Sequence, residues 1–120
     1  MTEPVLVVET IPHVRAALMA VIEGDGYRTV GAASTSEALA KLRAGLRPCL
    51  ILLDVGVRDV RWFRAEQLAE PRLAGLPIVV ALDRGGSVDP SLAVTGTVGK
   101  PFVFARLAQI IGQHCLKNTN

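Results

Sequence analysis

Residues 49–56 read CLILLDVG: four large aliphatic side chains, Leu50 to Leu53, run straight into one carboxylate, Asp54. A strand with one wet face alternates apolar and polar residues, whereas a strand buried on both faces is aliphatic throughout. CLILLDVG is of the second kind and predicts a central strand of a sheet covered on both sides. Asp54 stands where that strand leaves the core, either as a strand-end acid held for stability or as a group held there for chemistry.

Outward from this strand the same alternation recurs. PVLVV (4–8), YRTVGAA (27–33), LPIVVAL (76–82) and GTVG (96–99) are further strand-like runs. Between them lie helical periodicities. Val14, Ala17, Leu18, Val21 and Ile22 are spaced three and four apart, and Gly24-Asp25-Gly26 stops that helix. Ser34-Thr35-Ser36-Glu37 has capping-box form and opens a helix through Ala38, Leu39 and Leu42 that ends at Gly45. An amphipathic segment covers 60–69 and Pro71 ends it. The stretch DRGGSVDPSLAV (83–94) carries little helix signal, so a fourth helix there is short. A last helix spans 103–116, with Val103, Leu107, Ile110 and Ile111 on one face. Strands alternating with helices predict an α/β fold: a doubly wound, five-stranded parallel sheet in a single domain over 1–120.

The bulk numbers exclude several classes. Half the 120 residues are hydrophobic and 4% are aromatic, which fits an aliphatic core and not a disordered tail or a stacking platform for single strands. A net charge of +2 and no recognition-helix signature argue against direct nucleic-acid binding. No apolar run approaches the ~18 residues of a membrane span. The opening MTEPVLVV has no basic leader, so a cytoplasmic location is expected. Cys49 and Cys115 are far apart and form no C-x-x-C pair, so they are expected to be reduced, buried thiols.

In open α/β sheets ligands gather at the carboxyl ends of the strands. Glu9 and Thr10 follow the first strand, Asp54 follows the third, and Lys100 follows the fifth. Taken in order, VLVVE, CLILLD, EPRLAGLPIVV and Lys100-Pro101 within VGKPF resemble a response-regulator receiver domain of the CheY-like, flavodoxin-like superfamily over nearly the whole chain. The resemblance implies that Asp54 accepts a phosphoryl group from a histidine kinase or phosphotransfer protein. It also implies that Mg²⁺ is held by Glu9, Asp54 and the backbone carbonyl of Gly56. Lys100 would pair with the acid and then with the phosphoryl oxygens, and its bond to Pro101 would be cis. Downstream proteins would dock on about residues 87–116, and a homodimer is a further expectation.

The departures from that pattern gather at the site. Thr10 stands where the resemblance expects a second acid, which weakens any Mg²⁺ site. Leu82 replaces a hydroxyl that would bond the phosphoryl group, and Thr97 replaces the aromatic residue of the switch. The leading expectation is an atypical receiver in two-component phosphorelay signalling, acting by protein contact and not as an enzyme. The alternative is a phosphorylation-independent pseudo-receiver used for docking or dimerisation. A flavodoxin-like enzyme or cofactor carrier is remote, because Glu9-Thr10-Ile11-Pro12 lacks a phosphate loop. Gly96-x-x-Gly99-Lys100 is not such a loop either, since Pro101 falls where a Ser or Thr is required. Arg58, Arg61 and Arg64 are expected to form a solvated helix face, and of Trp62 and Phe63 only one can be core. His13 and His114 are isolated.

Overall fold

A computed structural model describes residues 2–118. Five strands, β1 (Val5–Glu9), β2 (Thr29–Ala32), β3 (Leu50–Asp54), β4 (Ile78–Leu82) and β5 (Gly96–Gly99), pair in parallel in the order β2-β1-β3-β4-β5. The order reverses between β1 and β3, so their carboxyl ends flank the crevice where ligands bind in doubly wound sheets.

The helices are α1 (Pro12–Gly24), α2 (Thr35–Arg43), α3 (Val57–Leu68), the single turn α4 (Pro71–Ala74) and α5 (Phe104–His114). They cover both faces because successive strand residues point opposite ways. Val5, Val7, Leu50, Leu52, Val79, Ala81 and Val98 pack with Leu18 and Ile22 of α1 and Leu107, Ile110 and Ile111 of α5. Leu6, Val8, Ile51, Leu53, Ile78 and Val80 pack with Leu39, Leu42, Val60, Phe63 and Leu73. The unbroken run Leu50–Leu53 is fully buried, and each such aliphatic side chain stabilises the fold by about 1.5–3 kcal/mol.

Local signals act largely as their chemistry dictates. The Ser34 hydroxyl accepts from the Glu37 N–H at 3.0 Å. Glu37 reaches back to the N–H of Ala33, one residue before the cap, at 2.6 Å. Gly26 and Gly45 take φ of 101° and 117°, which lets the chain leave α1 and α2 without a Cβ clash.

Four expectations are revised. Glu9 is the last residue of β1 and not a loop residue after it. On α1, Leu18 and Ile22 reach the core while Ala17 is exposed and Val21 is 45% exposed. The helix meets the sheet along a narrower stripe than its apolar pattern allows. The β4–β5 connection carries only one 3₁₀ turn, η1 (Pro90–Leu92), in agreement with the weak helix signal there.

Arg64 supplies the reason that connection holds its shape. It is buried and donates to the carbonyls of Leu92 at 2.8 Å and Ala93 at 2.9 Å, and to Gln67 Oε1 at 2.7 Å. The amide of Gln67 in turn donates to the Leu73 and Leu76 carbonyls at 2.8 and 3.0 Å. Only Arg58 and Arg61 of the three arginines are exposed. Phe63 is core and Trp62 is 42% exposed, so the two aromatics divide as their adjacency requires.

The cysteines are the fourth revision. They are buried, but Cys49 and Cys115 are joined in a disulfide with Cα atoms 5.3 Å apart, so neither is a free thiol. The expectation of separate reduced thiols fails because 66 residues of sequence separation say nothing about distance once α5 folds back across the sheet.

Candidate functional site

The parallel register of β1 and β3 sets Glu9 directly opposite Asp54. Both side chains are nearly sealed from solvent, at 4% and 5% exposure. Lys100 follows β5 and its backbone N–H donates to the Leu82 carbonyl at 2.8 Å, which fixes its stem beside the end of β4. From there its ammonium forms an ion pair with Asp54 and a second one, at 3.3 Å, with Asp83. Three strand tips distant in sequence therefore meet, and Lys100-Pro101 is cis.

The charges are unevenly served. Glu9 Oε1 accepts from the Ile11 N–H at 3.3 Å, while Oε2 is the one buried side-chain polar atom among the described residues without a hydrogen-bond partner. Burial first, and then hydrogen bonding and charge from Asp54, hold the Glu9 carboxyl above its ordinary range, with Ile11 and Lys100 opposing. Burial pulls the Lys100 ammonium down, but Asp54 and then Asp83 outweigh it and the net shift is upward. Two carboxyls and an ammonium can hold a proton between the acids, or a cation against Oε2.

The donor set does not complete a divalent-cation site. Thr10 is exposed and brings no carboxylate. The Gly56 carbonyl accepts from the N–H groups of both Asp59 and Val60 at 3.0 Å, because Gly56 is the N-cap of α3 and that helix starts at once. Both lone pairs of that oxygen are committed to the helix. What remains is Glu9 with Asp54, so the other oxygens of an octahedral Mg²⁺ shell would have to come from water.

Leu82 is partly buried against the α2–α3 side of the core, and Thr97, opposite Val80, is half-buried. Neither sends a polar group to the acids. Asp83 was missed from sequence. Its signal was its place, directly after Leu82 at a strand end, but an exposed acid followed by Arg84-Gly85-Gly86 reads first as turn chemistry. It does both: its carbonyl accepts from the Gly86 N–H at 2.8 Å while its carboxylate meets Lys100.

No protein-family model matches the chain. Among curated proteins it is 29% identical to protein Rrf1 of Nitratidesulfovibrio vulgaris over 101 residues, covering 82% of this chain and 72% of that one. It is 32% identical to the DNA-binding response regulator MtrA of Mycolicibacterium smegmatis over 112 residues, spanning 85% of this chain but only 46% of the regulator. Among solved structures, a candidate response regulator from Chloroflexus aurantiacus matches with TM-score 0.80 and 25% identity, covering 94% of this chain and 97% of that chain. Vibrio cholerae CheY4 matches with TM-score 0.78 and 23% identity over 94% of this chain and 98% of its own. The fold is that of response-regulator receivers. The chain is similar to response-regulator receivers over most of its length.

Proposed function

We propose that this chain, acting as one domain over residues 1–120, is an atypical receiver of cytoplasmic two-component signalling with Asp54 as phosphoacceptor. The reading is supported by a buried strand-end carboxylate already ion-paired with the lysine that follows β5, two strands away in the sheet. An Asp54 oxygen would attack phosphorus of a phosphohistidine or acyl phosphate, the donor's bond to phosphorus would break, and the leaving group would keep the electron pair. Lys100 would then face the new negative charge. Such transfer relies mainly on positioning and charge neutralisation, which Lys100 supplies without a base. Output would pass through protein contact along 87–116, the stretch that holds η1, β5 and α5, or through a homodimer.

A second reading, the phosphorylation-independent pseudo-receiver, is favoured by one observation. The Gly56 carbonyl is taken up by α3, so the oxygen set beside Asp54 is incomplete. Incubation with acetyl phosphate, with and without Mg²⁺, followed by intact mass measurement separates the two. An adduct on the wild type that disappears in Asp54→Ala supports the phosphoacceptor. Identical unmodified masses in every arm leave the pseudo-receiver.

A further inference from the structure

We infer that the Cys49–Cys115 bridge is a redox latch on the segment that follows α5, closed as a disulfide and opened by a dithiol reductant. Cys49 immediately precedes β3, and Cys115 is the C-cap of α5. Their Cα separation of 5.3 Å lies within the range a bridge needs.

Among the described residues beyond Cys115, 116–118 are held at the surface. Lys117 lies 3.6 Å from Asp25 with its side chain 55% exposed, and its ammonium stands 5.8 Å from the centre of the Tyr27 ring. The Asn118 N–H donates to the Gly26 carbonyl at 2.7 Å, and the Thr2 hydroxyl donates to Asn118 Oδ1 at 2.6 Å. Exposed pairs of this kind hold a segment weakly. The covalent bond is thus the main tie, whereas α5 itself is anchored by the buried Leu107, Ile110 and Ile111. Opening the bridge frees residues 116–118 and leaves the helix docked. It also lifts the Lys117 stem off Gly26 and Tyr27, a ring now only 6% exposed.

The reduced form has a place prepared for it. Cys49 Sγ lies 3.4 Å from the Glu3 carbonyl and 3.5 Å from that of Pro4, so a thiol hydrogen there has acceptors close by. In the reducing compartment proposed above, protein disulfides are typically transient. The chemistry is ordinary exchange. A reductant thiolate attacks Cys115 Sγ, the S–S bond breaks, and Cys49 leaves as a thiolate that takes up a proton. The second reductant thiol then displaces Cys115, which is protonated in turn, and the reductant becomes a disulfide. Two electrons and two protons reach the protein.

The test uses the whole chain purified without reductant. Iodoacetamide labelling and intact mass should find no reactive thiol before dithiothreitol and two after it. Hydrogen exchange on both forms should show the Asn118 amide exchanging on the order of tenfold faster after reduction, with the amides of β1 and β3 still the slowest in the molecule. Cys115→Ser should match the reduced form without any reductant, and the resonances of Tyr27, the one tyrosine, should move in both. Two thiols that stay free even after oxidised glutathione would overturn the latch. So would a tail whose exchange ignores reduction, or a reduction that leaves the amides of β1 and β3 without protection.

Discussion

The two ends of the sheet are held by opposite means. At the carboxyl ends, Asp54 and Asp83 pair with one ammonium, Glu9 lies opposite Asp54, and one buried Glu9 oxygen has no hydrogen-bond partner. At the amino ends, a covalent bridge, a short ladder of surface contacts and a single aromatic ring tie α5 to the strand that carries Asp54. One end stores unsatisfied charge and the other removes freedom. A fold that confines its electrostatic imbalance to one edge can leave that edge responsive while the opposite edge keeps the strands in register.

The comparison breaks most visibly at the bridge. Joining residues 66 apart restricts the unfolded chain by ~4 kcal/mol in the chain-entropy treatment. The double variant Cys49→Ser/Cys115→Ser should lose about 2–4 kcal/mol in urea without reductant. Its denaturant slope should rise, because the unlinked chain exposes more surface. An unchanged midpoint would mean that the amino end is held by packing alone.

Next in size is Lys100→Met. Removing the partner of a buried carboxylate typically costs several kcal/mol. The Lys100 side chain is 33% exposed, so about 2–3 kcal/mol is expected here, read from urea denaturation. Adding Asp54→Asn should recover part of it, because the stranded charge is then gone. A double variant no more stable than the single one would show that Lys100 acts through packing of its stem.

How much of this was legible beforehand follows from which signals are local. Leu50–Leu53 and its sister strands could be read directly, because burial on both faces leaves no polar position, and strand-end placement brought out Glu9, Asp54 and Lys100. Arg64 could not be read, since a charge at helical spacing with Arg58 and Arg61 looks solvated until η1 presents carbonyls to it. Gly56 is a similar case: whether its carbonyl faces a metal or a helix depends on where α3 begins. The disulfide was invisible because it joins elements whose proximity is purely tertiary.

The acid pair sets a smaller, pH-dependent effect. Glu9 titrates above its ordinary 4.5 in the fold, so the native state binds more protons than the unfolded chain in that window. Stability therefore falls as pH rises from 4.5 through the raised value. Lys100 works at the other extreme: raised above 10.5, its contribution is complete below that pH and is lost as pH climbs past the raised value. Glu9→Gln should flatten the acidic slope and leave the alkaline one in place, measured as urea midpoints against pH. An unaltered acidic slope would assign that proton to another group.

The smallest expected effect is the most telling about the charged end. Asp83 is 88% exposed and its pairing with Lys100 is screened by water, so Asp83→Asn should change stability by less than about 1 kcal/mol. Its influence on Lys100 is nonetheless specific. Asp83 competes with Asp54 for the same ammonium, and an anion arriving at Asp54 would meet Asp83 as a like charge. Asp83→Asn should therefore lower the Lys100 titration point, followed by NMR of its side-chain nitrogen. It should also increase acetyl phosphate labelling of Asp54 most at low ionic strength, where screening is weakest. Equal labelling of the variant and the wild type at every salt concentration would mean that Asp83 only shapes its turn, leaving Asp54 and Lys100 as the whole of the working pair.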